Sequence, residues 1–370
     1  MKVLLTVASL LPAYGGPARS VSGLAQKLTE QGVDVVIWAP DGSAETTPFL
    51  PTGSSVERSA GPLNRVFDDF GKFDVVHDNG IWLPHNHQIA TVCLQRSVPR
   101  ILSLRGMLEP WALRHKWLKK RVAWYVYQRQ DLIRAAWHHA TSTTEEQSIQ
   151  RQRLRVPIVV IPNGLDIPHA VEQSPTIRPA NSIRTALFVG RIYPVKGLPL
   201  LVEAWAKVRP SGWKLRLVGP DEAGHQAQVE RLIHEQGLAN IIAFEGPLEG
   251  ESKAAAYREA DLFILPSHTE NFGMAIGEAL SYGVPVLTTK GTPWSSLIDH
   301  QCGWWVDVDS TAIAHALREA TSLNSTTLQE MGARGLEMAR NAFSWKDVAT
   351  DFSSLYRKVM ERTSLVSLPN

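Results

Sequence analysis

The sequence predicts an α/β chain made of two doubly wound, Rossmann-like domains in tandem. Three observations carry that prediction. Short apolar runs alternate with helical patterns, which is the signature of parallel sheets wound by right-handed crossovers. The alternation breaks once, near residues 162–183, and then begins again. At 370 residues the chain also exceeds what one hydrophobic core usually organises.

Residues 3–7 read as a buried strand. Val21, Leu24, Ala25 and Leu28 then recur at helical spacing, Gly32 ends that helix, and residues 33–38 form the next strand, completing one βαβ unit. Further strands are expected at 74–77, 100–104, 138–141 and 158–161. Turn residues in Pro162-Asn-Gly-Leu-Asp-Ile-Pro168 stop the series, and polar residues 169–183 read as a linker. The second series runs through strands at 185–189, 214–218, 241–244, 262–265, 286–289 and 304–306. A last helix, about 345–359, carries Val348, Phe352, Leu355 and Tyr356 on one face and needs a surface to pack against. The expected domains are 1–168, completed by the C-terminal helix of about 347–370, and 184–346. Two such domains are expected to leave a ligand cleft.

Composition narrows the class. Cys93 and Cys302 are far apart and suggest no disulfide framework, so a reducing, cytoplasmic setting is expected. The apolar N-terminal run has one lysine and leads straight into Tyr14-Gly-Gly16, which favours a buried first strand over a signal peptide. No run of about 18 apolar residues predicts a spanning helix. No nucleic acid partner is expected, and the net charge of +2 is uninformative alone. Its distribution is uneven: residues 1–168 carry 19 Lys/Arg against 14 Asp/Glu, so different partners are expected for the two halves.

Chemistry is concentrated at strand ends, where open parallel sheets bind ligands. In Thr269-Glu-Asn-Phe-Gly-Met-Ala-Ile-Gly-Glu278, Glu270 lies on the loop after an apolar strand and Glu278 on the following helix. The amides of Phe272, Gly273 and Met274 sit at the helix start, which favours an anion. Two solvated glutamates on an ordinary strand–loop–helix would give the same spacing. In Val189-Gly-Arg-Ile-Tyr-Pro-Val-Lys-Gly197, Arg191 and Lys196 suit a diphosphate, Arg by binding two oxygens and Lys as a point charge. Backbone near Pro247 and Leu248 can approach a flat base. Gly15 and Gly16 let the first βα turn approach a ligand, yet the turn is not G-x-G-x-x-G, so a dinucleotide oxidoreductase is disfavoured.

Together, Gly15-Gly16, Pro162-Asn-Gly-Leu-Asp166, Gly190-Arg191 with Lys196-Gly197, and Glu270-Asn271-Phe272-Gly273 leading to Glu278 resemble the retaining glycosyltransferases of the GT-B fold, glycosyltransferase family 4. The resemblance runs from Met1 to about Asp347. It implies two Rossmann-like domains, a nucleotide-sugar donor held mainly by the second, an acceptor held mainly by the first, and a C-terminal helix that crosses back. It further implies that Arg191 and Lys196 stabilise the leaving diphosphate, that Glu270 binds donor sugar hydroxyls, that Gly190, Asn271, Phe272, Gly273 and Met274 line the donor, and that Glu278 holds the ribose. Where many relatives carry a histidine reaching the donor sugar, this chain has Arg105, which binds hydroxyls, a carboxylate or a phosphate but cannot act as a base. His77 reads equally as a cleft residue or a strand-end polar residue, with Asn79 and Asn163 as further cleft residues.

The implied activity is hexosyl transfer from a UDP- or GDP-sugar to a glycan acceptor, lipid-linked, in polysaccharide or lipopolysaccharide assembly. No cofactor and no metal are expected: Asp307-Val-Asp309 precedes a helical run, where Asp309 suits an N-cap. The rival readings are a nucleotide-sugar epimerase of the same fold and a non-catalytic sugar-nucleotide-binding subunit. The stretch from Arg114 to Arg134 has seven-fold more cations than acids if His is ignored and reads as one helix, with Leu118, Val122, Tyr125 and Val126 toward the domain and Trp117, Lys119, Lys120 and Arg121 outward. Such a face is either solvated or laid on an anionic membrane, which would place the protein at the inner face of the cell membrane.

Overall fold

The computed structural model describes residues 1–114, 116–168 and 183–366, with side chains to residue 362. Apart from Ile183, the expected linker lies outside the described residues. The chain divides into two compact units, Met1–Gly164 with Trp345–Asn370, and Leu165–Ser344.

The first unit is built on seven parallel strands: β1 (Lys2–Val7), β2 (Asp34–Trp38), β3 (Glu57–Ser59), β4 (Val75–Asn79), β5 (Arg100–Ser103), β6 (Trp137–Ala140) and β7 (Ile158–Val160). Their order is β3-β2-β1-β4-β5-β6-β7. The apolar N-terminal run is an interior strand, with Val3, Leu4, Leu5 and Val7 buried on both faces. β3 was invisible to apolar patterning because Glu57-Arg58-Ser59 is a short polar edge strand. The helix Trp345–Val366 belongs to this unit and lays Val348, Phe352, Leu355 and Tyr356 into a core shared with Val21, Leu24 and Leu28 of the helix Gly16–Glu30. Its first residue, Trp345, fits only because Gly23 and Gly164 lack a Cβ, which would sit 2.4 and 2.2 Å from the indole.

The second unit has six parallel strands: β8 (Arg184–Val189), β9 (Trp213–Val218), β10 (Ile242–Gly246), β11 (Leu262–Leu265), β12 (Val286–Thr289) and β13 (Gly303–Val306). Their order is β10-β9-β8-β11-β12-β13. In each sheet the order reverses beside the first strand, between β1 and β4 and between β8 and β11. At such a switch the crossovers leave in opposite directions, and a crevice opens beyond the strand ends.

The segment after Arg114 departs from expectation. It is continuously helical only from Trp117 to Ile133, through a π-helical turn at Trp124–Gln128, and Lys116 at φ 52° separates it from the short helix Pro110–Arg114. Its apolar stripe also faces the other way: Leu118, Val122, Tyr125 and Val126 are 62–76% exposed. The inner face is taken by Trp124 against Trp82, Tyr127 and Gln128 bonded to the Trp82 backbone, and buried Asp131 and Leu132. Lys120 turns inward too, donating to the Ala112 carbonyl.

Candidate active site

In the second unit, the switch between β8 and β11 gathers the residues singled out by sequence. After β8 the chain makes a short turn, Pro194–Lys196, and Gly197 follows at φ 68°. A Cβ there would lie 2.1 Å from the Pro266 carbonyl oxygen at the end of β11, so only glycine lets the two loops approach this closely. The His268 amide donates to the Val195 carbonyl at 2.8 Å, and the Glu270 amide to the Gly291 carbonyl at 2.8 Å, which ties the loops after β8, β11 and β12 together.

This stitching brings Lys196 Nζ to 2.5 Å from Glu270 Oε1, with the two side chains only 15% and 13% exposed. Ser267 Oγ donates to the same oxygen at 2.7 Å. Because both contacts use Oε1, Oε2 is not needed to hold the pair. The loop is anchored from below: Phe272 is buried against Trp294 and Phe343, and Trp294 Nε1 donates to the Phe272 carbonyl. Phe272 therefore offers a ligand only its backbone. Gly273, at φ 81°, caps the helix Met274–Ser281 with no side-chain hydrogen bond, so the amides of Met274 and Ala275 begin the helix without intrahelical acceptors. Asn271 is half-buried beside them. The site thus combines one held cation, one held carboxylate and a helix start that favours negative charge.

Glu278 is on the same helix but in a separate network. Lys253 Nζ lies 2.8 Å from Oε1 and 2.6 Å from Oε2, and Tyr257 donates its hydroxyl at 2.7 Å. Arg191 is likewise not drawn to Glu270. Its guanidinium pairs with Glu222 on the loop after β9 at 2.5 Å, nearly half exposed, while Gly190 donates to the Val218 carbonyl. Pro247 and Leu248 follow edge strand β10, two strands from the switch. Sequence reasoning missed Ser267, Glu222, Lys253 and Tyr257; each is an isolated polar residue whose role comes from its partner across the fold.

In the first unit, Gly15 (φ 75°) and Gly16 open the helix after β1, on one side of the β1–β4 switch. Arg105 follows β5 in the left-handed region, φ 54°, unusual for a non-glycine residue. It donates twice to Asn79 Oδ1, at 3.1 and 2.6 Å, and once to Asn163 Oδ1 at 2.9 Å. Three residues predicted from separate segments therefore form one cluster. Burial lowers the Arg105 pKa, while nearby Glu145 raises it.

His77 does not join that cluster as a cleft residue. It is fully buried beneath the helix Trp345–Val366, with Nδ1 2.8 Å from the Tyr356 hydroxyl and Nε2 2.6 Å from Ser103 Oγ. Burial, then neighbouring His139 and Arg105, push its pKa well below the usual histidine range. The apolar face of the last helix covers it, which the strand pattern alone did not reveal. Asp309 caps the helix Ser310–Ser322 by accepting from the Thr311 and Ala312 amides, as its position suggests, and Asp307 pairs with Lys290. Among the described residues, no group of three or more His, Cys, Asp or Glu is arranged to hold a metal ion.

Comparisons with known proteins bear on the family and the fold. Residues 173–338 match the family described as glycosyl transferases group 1, and residues 15–164 match the glycosyl transferase 4-like domain. A D-inositol 3-phosphate glycosyltransferase of Corynebacterium efficiens is 34% identical over 47% of this chain and 42% of its own length. One from Geodermatophilus obscurus is 30% identical over 56% and 49%. At 25% identity, one from Kineococcus radiotolerans matches 94% of this chain and 91% of its own length. The chain thus spans less than half the length of the first of these relatives. Among solved structures, sucrose-phosphate synthase from Thermosynechococcus elongatus superposes with a TM-score of 0.80 at 21% identity, over 98% of this chain and 100% of that one. Anabaena HepE in complex with UDP and glucose gives 0.76 at 20% identity, over 97% and 100%. At these identities the structural likeness shows the GT-B fold.

Proposed function

We propose that this chain, which belongs to the group 1 glycosyl transferases of family 4, moves a hexosyl unit from a UDP- or GDP-sugar to a glycan acceptor with retention at the anomeric carbon. The observation that supports it most is the Lys196–Glu270 pair at the β8–β11 switch, beside an uncapped helix start. Lys196 and the amides of Met274 and Ala275 offset the charge that grows on the departing diphosphate. Glu270 orients sugar hydroxyls. Glu278, held by Lys253 and Tyr257, accepts from the ribose. Arg191 leaves Glu222 for a phosphate oxygen.

The bond from the anomeric carbon to the diphosphate oxygen breaks, and the acceptor oxygen bonds to that carbon on the same face. The acceptor's proton passes to a phosphate oxygen, and the nucleoside diphosphate departs. The protein supplies its own cations, so the reaction proceeds without a metal ion. We place the acceptor on a lipid-linked glycan of cell-surface polysaccharide or lipopolysaccharide assembly.

The test is a panel of UDP- and GDP-sugars, assayed in EDTA for nucleotide release and transfer, with the product anomer read by NMR. D-Inositol 3-phosphate belongs among the acceptors because relatives are named for it. Sugar epimerisation without transfer, or nucleotide binding without turnover on any donor, would overturn the reading.

A further inference from the structure

The helical segment 117–126 carries an exposed apolar surface. Trp117, Leu118, Val122, Tyr125 and Val126 are 53–76% exposed. Leu118, Val122, Tyr125 and Val126 follow the i, i+4, i+7, i+8 spacing of one helical face. The face is held out rigidly: Trp124 packs on Trp82, the Tyr127 hydroxyl donates to the Trp82 carbonyl at 2.9 Å, and Gln128 accepts from the Trp82 amide at 2.7 Å.

Charge identifies what fits there. Residues 110–130 contain Arg114, Lys116, Lys119, Lys120, Arg121 and Arg129 and no Asp or Glu. Lys120 is occupied at the Ala112 carbonyl and over the Trp82 ring, and the other five are exposed. A second copy packed on this face would bring like charges together. An anionic bilayer answers both features, apolar side chains entering the acyl boundary while cations meet lipid headgroups.

We propose that this face seats the protein on an anionic membrane by inserting Trp117, Leu118, Val122, Tyr125 and Val126, with Lys119 and Arg121 adding electrostatic attraction. The inference extends the reading of a lipid-linked acceptor but stands on different residues. It also differs from a contact made by cations alone, since the apolar stripe is the part that enters.

The test uses the full chain with a Leu118→Cys substitution labelled by an environment-sensitive fluorophore, which is selective because Cys93 and Cys302 are buried. Vesicles of equal parts phosphatidylglycerol and phosphatidylcholine are expected to shift the emission to the blue, and pure phosphatidylcholine vesicles to do so far less. In cosedimentation, Lys119→Ser with Arg121→Ser should weaken partitioning about fivefold per charge at low salt, an effect that fades as salt rises. Val122→Ser with Val126→Ser should weaken it about tenfold or more at every salt concentration. Three outcomes overturn the proposal: no partitioning of wild type, partitioning unchanged by the valine substitutions, or a concentration-dependent dimer that hides the probe without vesicles. Nucleotide release measured on the same variants without lipid separates this test from the transferase reading, because these substitutions should leave it unchanged.

Discussion

Tyr356→Phe removes one oxygen from the helix Trp345–Val366 and is expected to loosen the first unit. The Tyr356 hydroxyl is 2.8 Å from His77 Nδ1, His77 Nε2 is 2.6 Å from Ser103 Oγ, Ser103 Oγ is 2.6 Å from His139 Nδ1, and His139 Nε2 is 2.8 Å from the Ile161 carbonyl. A carbonyl can only accept, so His139 carries its proton on Nε2 and accepts at Nδ1. Ser103 then donates to His139 and accepts from His77, which leaves His77 Nδ1 to accept from Tyr356. The direction of every bond is fixed. Reversing the chain would need a doubly protonated His139, and burial, aided by Arg105, holds its pKa down to about 3. Without the hydroxyl, His77 keeps a buried acceptor that no donor reaches, at a cost of about 1–3 kcal/mol. In a unit of this size that lowers the unfolding midpoint by roughly 2–4 °C per kcal/mol. Scanning calorimetry of the full chain near neutral pH measures it. A midpoint within ~1 °C of wild type would refute the directed chain.

The same groups set an acid limit. Burial holds His77, His138 and His139 neutral, so the stability they contribute is whole above about pH 6.5, their unfolded value, and is lost as pH falls toward about 4 for His138 and about 3 for His139. Asp78, raised by burial to about 6 despite Arg100, and Glu145, also raised by burial, work in the opposite sense and offset part of the loss. A net fall of up to about 1.4 kcal/mol per pH unit is expected, and urea midpoints that do not move between neutral and mildly acidic pH would contradict it. Gly197→Ala forces a Cβ against the Pro266 carbonyl at positive φ and should cost more than about 1 kcal/mol, read as a lower thermal midpoint for the second unit. Lys253→Ala, like Glu278→Gln, should weaken UDP or GDP binding in isothermal titration, since Lys253 holds the carboxylate; unchanged affinity in both would remove Glu278 from the ribose.

Much of this was legible in the sequence because parallel strands covered on both faces are continuous apolar runs, and their ends mark where ligands bind. Glu270 and Lys196 are 74 residues apart and were found by that rule. What the sequence could not show is which side of a stripe meets the core. Leu118, Val122, Tyr125 and Val126 form a clear helical face, but Trp124, Tyr127, Gln128 and Leu132 make the better inner one once the π-helical turn is present. His77 stayed open between two readings for a related reason: its position at a strand end is visible locally, but the helix that buries it and decides for the strand-end reading lies 279 residues later. Lys253, Ser267 and Glu222 carry no spacing signal at all.

The most direct test of the account is nucleoside diphosphate release and glycosidic product from the preferred UDP- or GDP-sugar, compared for wild type, Lys196→Ala and Glu270→Gln. The account predicts turnover lower by about a hundredfold or more for Lys196→Ala, as for removal of one charge-stabilising donor, with clear loss for Glu270→Gln and native unfolding curves for both. Wild-type turnover in correctly folded Lys196→Ala would contradict it, because the cation at the β8–β11 switch would then have no part in the transfer.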